Sequence, residues 1–550
     1  MPSTPTTKSQ VQAYKFVLRR MQSALVRRDA VMLHDPMRTH TRATIVGVVL
    51  GALVAIVFVV WGLLSPAPSV PEAGNIVIGE QSGTVYVVMG NPKTLVPTFN
   101  LASARLLLLA QQKQTSAGAS GAGAGAAEAP AAPAAAASPA SVKNPTVVSD
   151  EQLKNIPRGK LTGIPDGPQL IPGDSQRISA NWAVCDQVQL DPTLPNPDTG
   201  KTNTYVFGGV APTGLGTELR ENEALLASAD NGKKYLIYRL PSSQNRPNAN
   251  TVRAEIDEDN TNDAVRTALG LQKPARKITQ GLLNAIPEVA KLTPPQIPDG
   301  PPPGDFDGLG VGDVFSTQPT GDQPKYWAIT TTGIQQVSNA VADVMRVAKH
   351  GSASRLQILG LDKLAGVKTL LPGDPGYIAV DDFPRSVPTI LDATKNSSVA
   401  CLGWSLVGSG TGQDAHTSVY IDTQLPGAKA TGDKFTPTTV TTPGPNRVPI
   451  NGFYLQPGYG AVVQSATGKD SFGKGAIQLI SDRGIRYSVP DAATADAIGL
   501  NNRQPAPESI IGLLPTGASL NTQDVLKQFD SVPIDPNAGS FPTQTQQAGG

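Results

Sequence analysis

The 550-residue chain has few of the residues from which most catalytic and metal-binding sites are built. Charged residues make up 16% and aromatic residues 5% of the sequence, which contains four histidines and two cysteines. Scattered histidines and cysteines without CxxC spacing do not predict a zinc site. The formal net charge is +1, so no overall basic field favours nucleic acid. We therefore expect no metal, no other cofactor and no nucleic-acid partner.

Glycine and proline are abundant, at 55 and 49 residues, which is typical of turn-rich structure with flexible segments. The length predicts two or more packed units. We expect three segments to lie outside these units. They are a flexible Ala/Gly/Pro-rich insertion at 113–146, an extended connector at 294–312 and a disordered tail at 529–550.

Residues 43–64 (ATIVGVVLGALVAIVFVVWGLL) contain no charge, asparagine, glutamine or proline. A helix of about 20 apolar residues is long enough to cross a bilayer, and Trp61 suits its far interface. The alternative is a core helix of a soluble domain, but such helices seldom run this long without a polar residue. The sequence therefore predicts a single transmembrane helix.

The flanking charges predict the orientation of this helix. Residues 1–42 carry eight Lys or Arg residues against two Asp residues, and the next basic residue is Lys93. The positive-inside rule places such an N-terminus in the cytosol and the bulk of the chain outside. A cleaved signal peptide is disfavoured because the apolar run starts far from Met1 and ends in a poor cleavage site.

Before the span, apolar residues recur at spacings of three and four and form one helical stripe, with most of the basic residues off it. Two interpretations remain open: a helix lying on anionic lipid headgroups, or a helix docked on cytosolic domains of partner subunits. The stripe comprises Val11, Tyr14, Leu18, Met21 and Leu25, and the basic residues are Arg19, Arg20, Arg27 and Arg28.

The remainder contains a degenerate internal repeat. A G-x-x-Y signature at a hairpin occurs at 83–86, 232–235 and 484–487, where glycine supplies the positive φ of a tight turn. A short Ala-rich helix ending in glycine follows at 263–271 and 492–500, and a second helix then ends in proline. A weaker fourth copy begins near 326. Chance similarity is the alternative, but the features keep the same order.

The two cysteines lie in near mirror-image motifs, Trp182-Ala-Val-Cys185 and Cys401-Leu-Gly-Trp404. Outside the cytosol they can form a disulfide with the tryptophans packed nearby, which adds about 4–5 kcal/mol in the chain-entropy model. Two buried free thiols are the alternative.

Three motifs resemble sites of chemistry without meeting their requirements. Asp414, His416 and Ser418 have the composition of a catalytic triad, but alternate residues of an extended segment do not place a base on a nucleophile. Residues 257–268 begin like a calcium loop but lack the glycine at position six and the glutamate at position twelve. The GxxxxGK sequence at Gly468, Gly473 and Lys474 is followed by glycine rather than Ser or Thr, and then by a predicted strand.

Seven segments together resemble the EccB family, the membrane-complex subunits of ESX (type VII) secretion systems. They occur in the family's order along nearly the whole chain. The sequence departs from the family pattern at the 113–146 insertion and at a less aromatic motif around Cys401. The segments are TKSQVQAYKFVLRRMQSALVRRD and DPMR before the span, NLASARLLL at 100–108, IPRGKLTGIPDGP at 156–168, WAVCD, CLGW and IGLLPTGASL.

The resemblance implies an α+β protein: one N-terminal transmembrane helix and an elongated extracytoplasmic domain of about four β-hairpin/helix repeats around a central, β-rich, disulfide-bonded domain. It implies partners in EccC, EccD, EccE and other EccB copies, with the mycosin protease MycP nearby and the N-terminal segment docked on cytosolic domains. The expected boundaries are 1–42 (cytosolic helix), 43–64 (span), 65–163 (repeat 1), 164–217 (centre), 218–303 (repeat 2), 304–375 (repeat 3), 376–466 (centre), 467–528 (repeat 4) and 529–550 (tail).

The sequence is compatible with three functions. The first is a structural scaffold of a secretion complex in the inner membrane. The second is an ATP-hydrolysing subunit, which depends on the incomplete GxxxxGK. The third is a module that binds cell-envelope polymers. The sequence favours the scaffold, because the topology and the resemblance agree.

Overall fold

The computed structural model describes residues 7–27, 36–64, 71–120, 144–240, 251–256, 263–427 and 436–532. The chain divides into two compact units, Met1–Val70 and Pro71–Gly550. The first is helical and the second combines helices with β-sheets. Several predictions fall outside the described residues: the role of Arg28, the start of the calcium-like loop at 257–262, most of the 113–146 insertion and the tail from 533.

Two long helices precede a body of short strands and mostly short helices. Across the described residues the α-helices are α1 (Lys8–Arg27), α2 (Pro36–Leu64), α3 (Leu101–Ser120), α4 (Asp150–Leu153), α5 (Ala264–Ala268), α6 (Gln280–Ala285), α7 (Asn339–His350), α8 (Ala492–Ala497) and α9 (Glu508–Ile511). The strands are β1 (Ile76–Gly79), β2 (Val85–Met89), β3 (Thr94–Thr98), β4 (Thr146–Val148), β5 (Leu161–Thr162), β6 (Trp182–Leu190), β7 (Asp198–Gly208), β8 (Thr217–Glu218), β9 (Glu223–Ser228), β10 (Lys234–Arg239), β11 (Thr251–Ile256), β12 (Arg276–Lys277), β13 (Val314–Thr317), β14 (Lys325–Ile329), β15 (Ile334–Val337), β16 (Gln357–Ile358), β17 (Thr389–Ile390), β18 (Val399–Val407), β19 (Asp414–Asp422), β20 (Thr438–Thr439), β21 (Gly452–Tyr454), β22 (Gly460–Ala466), β23 (Ile477–Ser481), β24 (Arg486–Val489), β25 (Gln504–Pro507) and β26 (Gln528–Phe529).

Four sheets of the second unit share one strand order. In each, three consecutive strands pair antiparallel, and a fourth strand, reached through a helix, returns parallel to the first of the three. We number these sheets one to four along the chain. Their orders are β4-β1-β2-β3, β12-β9-β10-β11, β16-β13-β14-β15 and β25-β22-β23-β24.

The segment after the parallel strand crosses to the other edge of the same sheet in all four cases. There it forms a parallel bridge with the third strand. These bridges are Leu95↔Arg158, Arg253↔Glu288, Ile334↔Thr369 and Arg486↔Thr516. Sheet two has a second one, Ile256↔Leu292, and in sheet one β5 also pairs parallel with β3. The parallel strand and this bridge therefore cover both edges of the three antiparallel strands over part of their length, which limits their pairing with other chains.

The G-x-x-Y signature does not occupy equivalent turns, contrary to the prediction. Gly83 and Gly232 adopt positive φ in the first hairpins of sheets one and two. Gly484 also has positive φ, but it lies in the second hairpin of sheet four, between β23 and β24. Glycine followed by tyrosine suits any tight hairpin, so the local pattern could not tell one hairpin from the next.

Several elements also lie at positions that differ from the expected boundaries. Sheet four begins with β22 at Gly460, seven residues before the predicted start at 467, and sheet three begins with β13 at Val314. Strand β17, expected in the centre, pairs with β9 of sheet two. Helix α3 continues to Ser120, so the first residues of the 113–146 insertion are helical. Strand β26 pairs with β5 of sheet one, so the predicted tail starts too early.

A seven-stranded sheet, the central sheet, has the order β20-β21-β7-β6-β18-β19-β8. Strands β6 and β18 pair antiparallel, with Trp182 opposite Trp404 and Cys185 opposite Cys401. The two cysteines are fully buried and form the predicted disulfide. The tryptophans, however, do not pack beside it: alternation along each strand puts them on the opposite face.

The tryptophan face belongs to the largest hydrophobic core of the described residues. Trp182 and Trp404 pack there with residues of sheets two and four, including Ile237 and Val463. A second core joins sheets two and three, and a third joins sheets one and four. Sheets two and four thus contact the centre, and sheets three and one pack on them in turn.

A buried carboxylate also ties the central sheet to sheet two. Asp186, next to the disulfide, accepts hydrogen bonds from Thr279 N–H (2.7 Å) and from the hydroxyls of Thr279 and Thr204 (2.8 and 3.0 Å). Thr279 is the N-cap of helix α6. Burial raises the pKa of Asp186 and lowers the pKa of nearby Arg276 to about 10, while their mutual attraction opposes both shifts. Arg276 donates to the carbonyls of Ser397 and Ser398.

Removing the disulfide tests its contribution. We expect the Cys185→Ala/Cys401→Ala double variant to lose about 4–5 kcal/mol of unfolding free energy, because the unfolded chain regains the freedom of a very long loop. Denaturant titration of the full-length protein in detergent measures this. The single Cys185→Ala variant should lose a similar amount, and an unchanged midpoint in both would contradict the account.

Removing the Asp186 carboxylate tests the contact between the central sheet and sheet two. We expect Asp186→Ala to cost about 3–5 kcal/mol, because it removes the negative charge near buried Arg276 and the acceptor of the Thr279 N–H and hydroxyl groups. Asp191→Ala is the matched control, since the Asp191 carboxylate lies in a surface turn, where Thr193 is its one donor among the described residues. Equal losses in the two variants, by the same titration, would argue against a special role for Asp186.

Candidate functional site

Helix α2 has the length and surface of a membrane anchor. Its stretch Arg42–Gly62 contains 21 residues, none of which is buried inside the protein. At 1.5 Å per residue the stretch is about 31 Å long, close to the thickness of a hydrocarbon core. Valine, leucine, isoleucine and phenylalanine side chains are exposed all around it, and Trp61 is exposed near its end. The helix begins at Pro36, before the predicted start at 43, since proline suits the first turn.

Helix α1 carries the predicted apolar stripe on its surface. Val11, Tyr14, Leu18, Met21 and Leu25 are all exposed, with Tyr14 at 68% and Leu25 at 80%. The helix has five basic residues and no acidic residue. Exposed apolar side chains on a cationic helix are costly in water, so this helix requires a partner surface.

Phe16 is a further apolar position on α1 that the predicted stripe does not include. It is 57% exposed, and at 100° per residue it lies opposite Leu25, on the side that carries Arg20. The sequence pattern gave no signal for Phe16, because one aromatic residue on the polar side adds nothing to the spacings of three and four. Phe16 is thus a single exposed aromatic on the side of α1 opposite the stripe.

The GxxxxGK segment forms the first hairpin loop of sheet four, between β22 and β23. A short 3-10 helix, Lys469–Ser471, is followed by Gly473 at positive φ. The Ser471 hydroxyl accepts from the backbone N–H groups of Thr467 and Gly468, which a phosphate loop would offer to a phosphate. Strand β23 follows where a nucleotide-binding helix would be needed.

Packing rather than a ligand explains the glycine that follows the motif, Gly475. A Cβ at Gly475 would lie 1.8 Å from the Ser465 carbonyl oxygen, so the close approach of the two strands requires glycine there. Gly468 has extended backbone and open space around it. The Lys474 side chain is exposed. The arrangement lacks the elements that bind and orient a nucleoside triphosphate.

The triad-like residues are not arranged as a triad. Ser418 is buried on β19, and its hydroxyl donates to the Glu218 carboxylate at 2.6 Å. His416 Nε2 lies 3.9 Å from the same carboxylate oxygen. The carboxylate therefore takes the position that a general base would need. Elsewhere in the described ranges, no group of three His, Cys, Asp or Glu side chains is placed to hold a metal ion.

Together, α2, α1 and the five-sheet body define a class: a membrane protein with one candidate span, a short cationic N-terminal segment and a large α+β domain without a recognisable catalytic site in its described residues. The family model for the type VII secretion system ESX-1 transport transmembrane domain B matches residues 3–534. The chain belongs to this family, EccB.

Curated relatives match over nearly their whole length. The chain is 26% identical over 550 residues to "ESX-1 secretion system ATPase EccB1" of Mycobacterium tuberculosis, covering 98% of both proteins. It is 28% identical over 554 residues to "ESX-3 secretion system ATPase EccB3" of the same species, covering 96% of this chain and 90% of the relative.

Solved structures share the fold. A chain of an intact ESX-5 inner membrane complex matches with a TM-score of 0.63 and 22% identity, covering 99% of each chain. A chain of the EccB3 dimer from the ESX-3 core complex matches with a TM-score of 0.57 and 24% identity, covering 82% of this chain and all of the other.

Two glycine substitutions distinguish a loop whose glycine is required by packing from a loop that binds phosphate. We expect Gly475→Ala to cost about 2–3 kcal/mol of unfolding free energy, because a methyl group meets the Ser465 backbone. Gly468→Ala, which alters the first glycine of the motif, should stay within about 0.5 kcal/mol. Thermal and denaturant unfolding of the full-length protein measure both. A nucleotide-binding loop predicts instead that Gly468→Ala and Lys474→Ala abolish ATP-induced stabilisation.

Proposed function

We propose that this chain is a structural subunit of the inner-membrane complex of a type VII (ESX) secretion system. The family match over residues 3–534 carries the proposal. The matched folds come from an intact ESX-5 inner membrane complex and from an EccB3 dimer of the ESX-3 core complex. The exposed anchor and docking helices give it a physical basis, since both need surroundings that the described chain does not supply.

In this proposal residues 1–42 lie in the cytosol, α2 crosses the inner membrane and the body lies outside. The charge asymmetry around α2 supports this orientation. The buried Cys185–Cys401 disulfide supports it independently, because disulfides persist mainly in oxidising compartments.

The body is, in our proposal, four copies of one unit on a central sheet. The copies extend over 76–159, 223–288, 314–369 and 460–516, and the centre over 182–218 and 399–454. The shared strand order and the repeated parallel bridges support this division. Such a body presents several similar surfaces on one rigid frame, which suits assembly with other subunits.

The partners follow from the family. Helix α1 docks on cytosolic domains of neighbouring subunits, with EccC, EccD and EccE as candidates, and other EccB copies join through the body. The mycosin protease MycP is a candidate neighbour outside the membrane. The relatives are named ATPases, but the loop at 468–475 argues against ATP hydrolysis by this chain. The N–H groups of Ser471, Phe472 and Lys474 already donate to carbonyls within the loop, and strand β23 follows where a helix would be needed.

Reporter fusions test the proposed topology. We expect alkaline phosphatase to be active when fused after Gly550 and inactive when fused before Met1, with green fluorescent protein giving the reverse result. Carbonate extraction should leave the full-length protein in the membrane. Both termini on one side, or release of the body as a soluble protein, would overturn the proposal.

A charge placed in the α1 stripe tests the docking role. We expect Leu18→Asp to lower copurification of the other membrane-complex subunits at least about tenfold, because it buries an unpaired carboxylate at the contact. Gln12→Asp, which adds the same charge off the stripe, is the control. Anchoring by α2 should be unchanged in both.

The lipid interpretation of α1 gives a different result. If the helix lies on headgroups, Leu18→Asp reduces binding of the 1–42 peptide to anionic vesicles while the complex stays intact. That combination would contradict docking on a protein.

A further inference from the structure

We propose that the proline-rich segment 294–303, between sheets two and three, is a ligand surface for a partner protein with an aromatic-lined groove. Six prolines lie between residues 293 and 303. Each fixes its own φ near −65° and pushes the residue before it toward extended backbone. The segment therefore has the local restrictions of a polyproline II helix, about 3.1 Å per residue and about 30 Å long.

Among the described residues, the backbone N–H and carbonyl groups of 294–303 make no backbone–backbone hydrogen bonds. The last backbone hydrogen bond before it runs from Leu292 N–H to the Glu255 carbonyl, and the next one after it from Leu309 N–H to the Phe306 carbonyl. Within residues 294–303, the one hydrogen bond among the described residues is donated by the Gln296 side chain to the Pro294 carbonyl. The remaining carbonyls are available to donors from outside.

One side of the segment is fixed to the body at three-residue spacing, as a polyproline II helix requires. Ile297 is half-buried against the core of sheets two and three. At Gly300 a Cβ would lie 2.7 Å from the Thr331 side chain, so the backbone itself touches the body there. Pro303 is again half-buried.

The other two sides face outward. Pro298 and Pro301 are exposed and, with Pro295, form one ridge of the PxxPxxP pattern. Asp299 is exposed on the adjoining side, with no ion pair to another described residue. Because the body already holds the segment in place, binding would cost little conformational entropy.

The chemistry of the partner follows from the ridge. Proline rings and free carbonyls in a preformed polyproline II helix fit grooves lined by Trp and Tyr, whose N–H and O–H groups donate to the carbonyls. The start of the segment shows the same preference within the chain. Pro294 and Pro295 border a cavity of about 490 Å³ that is also lined by Tyr377 and Phe383. From Pro298 onward the ridge has no such cover from the described residues.

Photo-crosslinking in the intact membrane complex tests this. A p-benzoylphenylalanine probe replaces Asp299 in the full-length chain, and the same probe at Asp322, in the exposed first hairpin of sheet three, is the reference. We expect a cross-link to a protein segment containing Trp or Tyr, in yield well above the reference. A yield equal to the reference, a lipid product or a segment without aromatic residues would overturn the proposal.

Substitutions of two neighbouring prolines distinguish a ligand surface from a rigid spacer. Pro301→Ala removes a residue of the ridge, whereas Pro302→Ala removes one proline from a different side. Both loosen the segment equally. We expect Pro301→Ala to lower the Asp299 cross-link at least about tenfold and Pro302→Ala to leave it within twofold, with unchanged melting temperatures. Equal effects of the two variants would show a spacer and sink the proposal.

Discussion

The antiparallel pairing of β6 with β18 is the contact on which the body depends. It joins residues 216 positions apart, and its register places Cys185 directly opposite Cys401. One face of the pair holds the disulfide in a small core, while the other presents Trp182 and Trp404 to the core shared with sheets two and four. A pairing this distant in sequence is entropically expensive, and a covalent bond between the paired strands offsets part of that cost.

The smaller sheets gain their stability from this centre. Three or four short strands with one helix bury little apolar surface alone, so each needs a neighbour. Sheets two and four obtain it from the central sheet, and sheets three and one obtain it from sheets two and four. Strand β26 then returns to β5, and Phe529 makes an edge contact with Phe99. The last strand of the described chain thereby pairs with the first sheet.

The buried polar contacts of the described chain hold its structural elements together, as the role of a scaffold requires. Its buried polar groups join elements: Asp186 connects the central sheet to α6, and Ser418 connects β19 to β8 through Glu218. The loop that resembles a phosphate site closes on its own serine. Within the described ranges, α1 and α2 expose many apolar side chains, and the outer ridge of 294–303 is exposed as well. These are the places at which such a protein meets its surroundings.

The sequence by itself determined the features that are local. Uninterrupted apolar composition at 43–64 predicted α2, helical spacing predicted the α1 stripe, and glycine at positive φ predicted hairpins at Gly83, Gly232 and Gly484. The mirror-image cysteine motifs predicted the disulfide, because only two cysteines exist to pair.

Tertiary structure decided what depends on register and on distant neighbours. Strand alternation separated the tryptophans from the disulfide, and sheet pairing moved the start of sheet four to Gly460 and assigned β17 and β26 to sheets far from them in sequence. The buried role of Asp186 was equally invisible, since an isolated aspartate in a strand gives no signal of its partners Thr204 and Thr279. The physical reason is that turns and helices depend on neighbouring residues, whereas sheet order depends on which distant apolar faces bury each other.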